Sequence, residues 1–482
     1  MELCDKSILE LRQLLDQKEI SSVELTKYYL DRISQTDKQV ESYITVCEEE
    51  ALKRAVLADN RIAKGESASL TGIPISIKDN MCTEGIRTTC GSKMLENFVP
   101  PYNATAVSKL LAEDVVILGK VSMDEFAMGG STQTSYYKKT KNPYDLTRVP
   151  GGSSGGSAAS VAAKLAAASL GSDTGGSIRQ PAAFCGITGM KPTYGAVSRF
   201  GLVAFASSFD QIGPLAHSAR DCASVLNVIS GHDAFDGTSS HKNINFSSKL
   251  GHDIKGLKLA LPKEFFGEGI DSGVKAMVLN AVKEYEKMGA EIVEVSLPSL
   301  KYAIAAYYLI ASAEASSNLA RYDGIKFGYC TPEAKTYEER IMRTRNEGFG
   351  EEVKRRILLG TYALSSGYYD AYYKKALYIQ QKIKAEYKSI FEGCDAIITP
   401  TAPTTAYKIG EIEGDPVKMY LADICTVTVN IAGLPAVSTT CGYDEKGMPI
   451  GMSIVGKAFD DATVLQVADA FESNFKIQHP KL

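Results

Sequence analysis

The chain has 482 residues, of which 44% are apolar and 23% are charged. This composition excludes a disordered or collagen-like chain, and the length permits a large buried core. The 53 lysines and arginines are slightly outnumbered by 57 acidic residues, which gives a formal net charge of −4. The chain alone is therefore a poor candidate for binding nucleic acid.

The first part of the chain, residues 1–65, is predicted to be helical. Residues 21–24 have the spacing of a capping box, and apolar residues follow at helical intervals. Strands are predicted at 73–77, directly before Lys78, and at 115–118. This alternation of helices and strands predicts an α/β core.

Residues 151–177 are rich in Gly and Ser, and their Ala-rich middle, 158–170, is predicted to be one packed helix. Further on, apolar residues over 274–288 recur with a helical period. Gly289 is placed to end that helix, and a strand is predicted to follow at 292–295.

The last third of the chain returns to strands after a helical region at 300–390, which is rich in Tyr and charge. We predict one domain with its core in 66–260 and 390–482, and the helical region as an insertion. The later elements predicted are strands at 395–398, 436–438 and 450–455 and a helix over 464–471.

Cysteine usage and hydropathy predict a cytoplasmic protein. The ten cysteines are scattered without a CxxC pair or a zinc-like spacing, which favours reduced thiols. The N-terminus is polar, so no signal peptide is expected. No apolar run reaches about 18 residues, so no membrane span is expected.

The Gly/Ser-rich loops do not match nucleotide-binding motifs. Residues 151–157 (Gly-Gly-Ser-Ser-Gly-Gly-Ser) lack the lysine of a phosphate loop, and their paired glycines depart from GxGxxG. A nucleophilic serine remains, and it needs a base. His217 is one candidate among only five histidines, and Lys78 is the other. A lysine is a competent base only where burial depresses its pKa.

Three stretches, in this order, resemble the amidase signature family. They are residues 151–157, 171–184 (Gly-Ser-Asp-Thr-Gly-Gly-Ser-Ile-Arg-Gln-Pro-Ala-Ala-Phe) and 189–193 (Gly-Met-Lys-Pro-Thr). The resemblance implies an α/β amidase signature fold. Its large mixed central β-sheet would be covered by helices on both faces, with a helical insertion.

The family uses a Ser–cisSer–Lys triad, and the resemblance assigns it to Lys78, Ser153 and Ser177, at the family's intervals. It implies that Ser177 attacks an amide carbon while Ser153 relays the proton to neutral Lys78. The peptide between Gly152 and Ser153 would be cis. The implied oxyanion hole consists of the backbone N–H groups of Thr174, Gly175, Gly176 and Ser177.

Further stretches resemble, within the family, the glutamine-hydrolysing subunits of tRNA-dependent amidotransferases. They are 123–129, 141–143, 314–324, 350–357 and 419–423. The resemblance implies hydrolysis of glutamine and delivery of ammonia within a heterotrimer with subunits B and C. That complex would convert misacylated Glu-tRNA(Gln), and often Asp-tRNA(Asn), using ATP and Mg²⁺. The tRNA would be held through the B subunit, and this chain would carry no cofactor or metal.

Free glutamine carries an ammonium and a carboxylate, so a selective pocket needs a fixed anion and a fixed cation. The resemblance assigns Arg356 to the carboxylate, Asp423 to the ammonium, and a contributing hydroxyl to Tyr308. Arg355 and Tyr307 stay open as alternatives, because neighbours on a helix face directions about 100° apart.

The loop at 128–131 (Met-Gly-Gly-Ser) is expected to line the acyl pocket through Gly129 and Ser131. After Gly130 the chain reads Ser-Thr-Gln-Thr-Ser, where the related subunits usually have Glu-Asn-Ser. This departure concerns the nearby pocket wall and leaves the triad intact.

Two other functions fit part of this pattern. A stand-alone amidase of other small amides would keep the triad but would not need the charges of Arg356 and Asp423. A catalytically silent assembly scaffold would need neither. The intact Lys78, Ser153 and Ser177 argue against the scaffold.

Overall fold

The computed structural model describes residues 2–412, 414–480 and 482, and it contains one eleven-stranded sheet. The strands are β1 (Tyr43–Val46), β2 (Pro74–Lys78), β3 (Val116–Val121), β4 (Ala168–Asp173), β5 (Thr188–Lys191), β6 (Gln211–Ala216), β7 (Lys258–Pro262), β8 (Glu291–Val295), β9 (Ala396–Pro400), β10 (Ala436–Tyr443) and β11 (Pro449–Gly456).

The α-helices are α1 (Ile8–Asp16), α2 (Ser22–Val40), α3 (Glu48–Ala63), α4 (Thr105–Ala112), α5 (Gly155–Ala162), α6 (Arg179–Phe184), α7 (Ala219–Ile229), α8 (Ser272–Lys287), α9 (Leu300–Asn318), α10 (Tyr337–Gly348), α11 (Glu351–Leu364), α12 (Lys374–Gly393), α13 (Pro416–Leu421), α14 (Val427–Ala432) and α15 (Asp461–Glu472). A short π-helical turn, Tyr369–Tyr373, joins the region of α11 to α12. In the described part of the chain, no helix is both long and apolar enough to span a membrane.

The sheet runs in the order β1-β3-β2-β4-β6-β5-β10-β11-β9-β7-β8 and mixes parallel with antiparallel pairs. Successive residues of a strand point to opposite sides of the sheet, and the inner strands β2, β3, β4, β9 and β11 are buried at every residue, so the middle of the sheet is covered on both faces. In β9, Ile397 packs in one apolar cluster with residues of α9 and α12, and Ile398 packs in another with residues of α8 and α15. The predicted fold, a large mixed sheet with helices on both faces, is confirmed.

Local signals in the sequence explain several element ends. Ser21 is the N-cap of α2, where its side chain accepts from the backbone N–H of Glu24 and the Glu24 carboxylate accepts from that of Ser21, as the capping-box spacing predicts. Gly289 follows α8 with φ +91°, a conformation that glycine adopts without steric cost.

Two predictions about secondary structure are wrong. The predicted helix at 158–170 ends at Ala162, and Ala168–Leu170 belong to β4. Lys164 takes a left-handed conformation (φ 60°) that interrupts the helix, and β4 is buried on both faces, so its small residues show no alternation. The helical segment 1–65 also contains the edge strand β1, which is only four residues long and pairs with β3.

The helical region packs α11 directly against α9, and a glycine permits the close approach. A Cβ built on Gly360 of α11 would lie 1.9 Å from the backbone oxygen of Ser312 on α9. This contact sets the spacing between the helix that carries Arg356 and the helix that carries Tyr308.

We expect Gly360→Ala to lower the melting temperature by a few degrees. Alanine favours an isolated helix by about 1 kcal/mol over glycine. Here the added methyl meets backbone that no rotamer change can move, and overpacking of this kind costs about 1–3 kcal/mol. Gly393→Ala, at the open end of α12 where a Cβ meets nothing within 4 Å, is the matched control. Equal melting temperatures for Gly360→Ala and wild type, in a thermal melt, would contradict this reading.

Candidate active site

The site lies where β2 and β4 end. These strands are parallel neighbours, so their carboxyl ends meet at the same edge of the sheet. Lys78 is the last residue of β2, and Ser172 and Asp173 are the last of β4. The loop that begins α5 brings Ser153 to the same edge.

Lys78 is fully buried and surrounded by hydroxyl groups. Its Nζ lies 2.7 Å from Ser153 Oγ, 2.9 Å from Ser154 Oγ and 2.9 Å from Ser172 Oγ, and 3.3 Å from the Ser172 backbone oxygen. A neutral amine can donate to the carbonyl and a hydroxyl and still accept a proton from Ser153. The structure therefore places the two predicted partners, Lys78 and Ser153, in direct contact.

The pKa of Lys78 is lowered to about 7. Burial is the main cause, since it disfavours the charged amine, and the nearby carboxylates of Asp124 and Asp173 oppose it only in part. Near neutral pH a large fraction of the amine is therefore unprotonated. This is the state that a general base requires.

Ser153 is held by its neighbours on both sides. The Gly152–Ser153 peptide is cis, as the resemblance implies. A Cβ on Gly152 would lie 2.0 Å from Asp124 Oδ2, and the backbone N–H of Asp124 donates to the Ser153 oxygen at 3.2 Å. Sequence reasoning missed Asp124, because an acidic residue in a loop gives no sign of the glycine against which it will pack.

Ser177 lies in the turn that precedes α6, and 8% of its surface is exposed, whereas Lys78 and Ser153 are fully buried. Its backbone oxygen accepts from Ser154 N at 3.2 Å, which joins the two serine loops. Within residues 2–412, 414–480 and 482, its hydroxyl makes no hydrogen bond. The loop of Ser177 thus adjoins the loop of Ser153, but no hydrogen bond joins their two hydroxyl groups. In many enzymes such catalytic hydrogen bonds form only when substrate is bound.

The predicted oxyanion hole needs one correction. The Gly176 N–H donates to Asp173 Oδ1 at 2.8 Å, and the Ile178 N–H donates to Asp173 Oδ2 at 3.1 Å. The Asp173 carboxylate folds back on its own turn, so Gly176 is not available as a donor. Among the described residues, the backbone N–H groups of Thr174, Gly175 and Ser177 have no hydrogen-bond partner.

The same turn is fixed from the opposite side by residues that sequence reasoning also missed. Thr426 Oγ1 donates to the Gly175 oxygen at 2.6 Å, and Asn430 Nδ2 donates to Asp173 Oδ1 at 2.8 Å. A Cβ on Gly175 would lie 2.5 Å from the end of the Tyr307 side chain, so a larger residue there would displace that ring. Thr426 and Asn430 lie about 250 positions further along the chain than this turn, and no local pattern could reveal them.

Arg179 holds the Asp173 carboxylate through two hydrogen bonds, at 3.0 and 3.1 Å, and both side chains are fully buried. Burial alone would raise the pKa of Asp173, but the Arg179 guanidinium holds it well below its usual value. The ion pair therefore stabilises the fold at every pH above the ordinary pKa of Asp. This stabilisation is lost as the pH falls through the lowered pKa of Asp173.

Asp173→Asn is expected to lower the free energy of unfolding by about 3 kcal/mol or more, because it leaves the Arg179 charge buried without a counter-ion. The effect can be measured by urea unfolding. Glu284→Gln removes an exposed partner of Lys287 and should cost under about 1 kcal/mol. If both substitutions cost the same, the Asp173–Arg179 pair does not hold the turn as described.

The predicted charge pair lies around one tyrosine. The Tyr308 hydroxyl donates to Asp423 Oδ2 at 2.7 Å, and the Arg356 guanidinium lies 4.5 Å from the centre of the Tyr308 ring. Arg356 is buried, whereas the Arg355 side chain is 41% exposed, and Tyr307 packs on Gly175 instead. Of the two open pairs of alternatives, the structure therefore places Arg356 and Tyr308 together with Asp423.

The pKa of Asp423 is raised to about 7. Burial is the main cause, and the hydrogen bond from Tyr308 and the charge of Arg356 oppose it in part. An ammonium bound beside Asp423 would lower this pKa, because a neighbouring positive charge favours the charged form of the carboxyl group.

The loop with Gly129 and Ser131 lies against the serine loop. The Ser131 N–H donates to Asp124 Oδ2 at 3.1 Å, and Gln180 links the Gly130 oxygen (3.0 Å) to the Gly152 N–H (2.9 Å). Ser131 also lines a cavity of about 280 Å³, together with residues at the start of α11 and before α13.

His217, the other candidate base, lies elsewhere. It lies half-buried directly after the end of β6, and it lines a cavity of about 30 Å³ with Cys185 and His479. Burial of its ring lowers its pKa to about 4, and neither Ser153 nor Ser177 lines the cavity that it faces. In the described ranges, no group of three or more His, Cys, Asp or Glu side chains is placed to hold a metal ion.

A buried lysine, two serine loops and free backbone N–H groups form a site suited to acyl transfer from amides. A protein-family model described as Amidase matches residues 24–465. The chain belongs to the amidase signature family and is an enzyme of the amidase class.

Comparison with individual proteins shows which members of the family the chain is similar to. The chain is 60% identical over 480 residues to the A subunit of the glutamyl-tRNA(Gln) amidotransferase of Caldanaerobacter subterraneus subsp. tengcongensis, covering 99% of this chain and 98% of that protein. The crystal structure of the corresponding A subunit from Thermotoga maritima matches with a TM-score of 0.84 and 42% identity, covering 100% of this chain and 99% of that one. Native peptide amidase of Stenotrophomonas maltophilia matches with a TM-score of 0.81 and 26% identity, covering 98% of each chain.

Proposed function

We propose that the chain is the glutamine-hydrolysing A subunit of a glutamyl-tRNA(Gln) amidotransferase. The observation that carries the proposal is the pair of opposite charges, Arg356 and Asp423, that flanks Tyr308 beside the catalytic turn. A neutral amide has no use for these two charges, whereas free glutamine offers a carboxylate to Arg356 and an ammonium to Asp423. The extended similarity to subunits of that name supports the same substrate.

In the proposed reaction, the Ser177 hydroxyl attacks the side-chain amide carbon of glutamine. Its proton passes through Ser153 to neutral Lys78, and the amide oxygen gains a negative charge that the free N–H groups of Thr174, Gly175 and Ser177 stabilise. The protonated Lys78 then returns the proton, through Ser153, to the leaving nitrogen, and ammonia departs. Water hydrolyses the remaining ester by the same relay and releases glutamate.

The ammonia would be used by a heterotrimer with amidotransferase subunits B and C. There it would convert Glu-tRNA(Gln), and in some cases Asp-tRNA(Asn), with ATP and Mg²⁺ acting in the assembled complex. The net charge of −4 is consistent with a tRNA held through the B subunit rather than by this chain. Ten free cysteines are consistent with a reducing, cytoplasmic location.

The test is a coexpressed three-subunit complex assayed for glutamine-dependent amidation of Glu-tRNA. We expect ATP-dependent formation of Gln-tRNA, and glutaminase activity that Arg356→Ala lowers through KM. Efficient turnover of uncharged amides with indifference to glutamine would instead identify a stand-alone amidase. Failure of an acylating inhibitor to label Ser177 would favour a silent scaffold.

A further inference from the structure

One buried carboxylate, that of Glu352, joins the two sides of the charge-recognition site. Glu352 lies one turn before Arg356 on α11, and its side chain is 6% exposed. Its Oε1 accepts from Arg356 Nε at 2.6 Å and from the Tyr420 hydroxyl at 3.1 Å, and its Oε2 pairs with Arg355. The hydrogen-bond partners of the Glu352 carboxylate are therefore two arginines of α11 and the hydroxyl of Tyr420.

The geometry leaves the end of Arg356 free. Glu352 takes only the Nε, and within the part of the chain that the structure describes the two Nη groups have no hydrogen-bond partner. The rings of Tyr308, Tyr420 and Phe205 surround the guanidinium at 4.5, 5.0 and 5.8 Å. A guanidinium fixed at Nε and by aromatic rings can present both Nη groups to a carboxylate as a planar fork.

Tyr420 connects Glu352 to the other charge. Its ring stacks on Tyr308 with centroids 3.8 Å apart, while its hydroxyl reaches Glu352. Tyr420 lies in α13, and Asp423 follows two residues after that helix, where it accepts from Tyr308. The positions of Arg356 and of the segment that carries Asp423 thus both depend on contacts with the Glu352 carboxylate.

We propose that Glu352 is a positioning residue for amino-acid recognition. It fixes the Arg356 fork and, through Tyr420, the segment that carries Asp423, so that the two receive the carboxylate and the ammonium of a free α-amino acid. This inference rests on the proposed function, because it takes Arg356 and Asp423 as the receptors for the carboxylate and the ammonium. It predicts that Glu352 matters only for substrates that carry both charges.

The test compares Glu352→Gln with wild type in the coexpressed three-subunit complex. Glutamine keeps the shape of the side chain but removes the charge that holds Arg356. We expect KM for glutamine to rise about 10-fold, with kcat within about twofold and with an unchanged rate of Ser177 acylation by a neutral acylating inhibitor. Glu49→Gln, whose carboxylate pairs with Lys53 at the surface of α3, is the matched control and should change neither constant.

Tyr420→Phe provides a second, milder test, because it keeps the stacked ring and removes only the hydroxyl. We expect KM to rise about threefold, and the double variant to be no worse than Glu352→Gln alone, since the hydroxyl acts through Glu352. Should Glu352→Gln not yield a folded complex, Tyr420→Phe carries the test alone.

An unchanged KM in these variants, or an equal loss of glutamine turnover and neutral acylation, overturns the positioning role and leaves the proposed function standing. A wild-type complex that acylates with the neutral inhibitor but ignores glutamine overturns both.

Discussion

Ser177→Ala is expected to lower kcat for glutamine hydrolysis by about 10⁴-fold or more, since it removes the atom that forms the acyl-enzyme. Ser177 is the serine of the site that retains exposure, and the N–H groups of Gly175 and Ser177 are free beside it. The backbone donors remain in the variant, so glutamine should still bind with a KM close to that of wild type. Single-turnover assays with radiolabelled glutamine measure both effects.

Ser157→Ala is the matched control for this substitution. Ser157 belongs to the same Gly/Ser-rich stretch, but its hydroxyl donates to the Leu170 oxygen at 3.1 Å inside the fold. We expect activity within a fewfold of wild type and a stability loss of about 1 kcal/mol. Substantial glutamine turnover by Ser177→Ala would assign the nucleophile to another residue.

Lys78→Met is expected to lower kcat by about 10³- to 10⁴-fold while leaving the melting temperature unchanged or raising it. The activity falls because methionine cannot accept the proton from Ser153. The stability does not fall because folding lowers the pKa of Lys78 from 10.5 to about 7. That shift destabilises the fold at every pH below 10.5, by roughly 4 kcal/mol at neutral pH, and the substitution removes this cost.

Lys191→Met is the control, because Lys191 is also fully buried and burial lowers its pKa to about 7 as well. Its Nζ donates to the Pro192 oxygen at 2.9 Å and touches neither serine of the triad. It should therefore match Lys78→Met in stability and retain most of the activity. Equal loss of activity in both variants would mean that Lys78 supports the fold rather than the chemistry.

The sequence was most informative where function depends on residue type at a fixed interval. The family resemblance assigned Lys78, Ser153 and Ser177 at fixed intervals, and the structure brings Lys78 and Ser153 into contact where β2 ends, with Ser177 in the adjoining turn. The charges of glutamine called for one cation and one anion, and the resemblance named Arg356 and Asp423. Only the folded structure, in which Arg356 is buried and Arg355 is exposed, distinguished these two neighbours.

The sequence was least informative where a residue acts through distant partners. Gly176 looked like an oxyanion donor, but the Asp173 carboxylate, three positions earlier, takes its N–H. Asp124 lies in the stretch 123–129 that carries the resemblance, but nothing in that stretch indicated its contact with Gly152, and Thr426 lies outside every stretch with a motif. Similarly, β4 follows an Ala-rich helix without alternating polarity, so its boundary depends on tertiary burial rather than on pattern.

The most direct test of the account is the pH dependence of Ser177 acylation by a neutral acylating inhibitor, measured in the wild-type protein from about pH 5 to about pH 10. A neutral reagent avoids the titration of Asp423, whose pKa of about 7 would also affect glutamine binding. Because only the unprotonated Lys78 can act as a base, the rate should rise with pH around a midpoint near 7 and then level off. A rate that keeps rising toward the ordinary pKa of lysine, or that does not change with pH, would contradict a buried amine as the base.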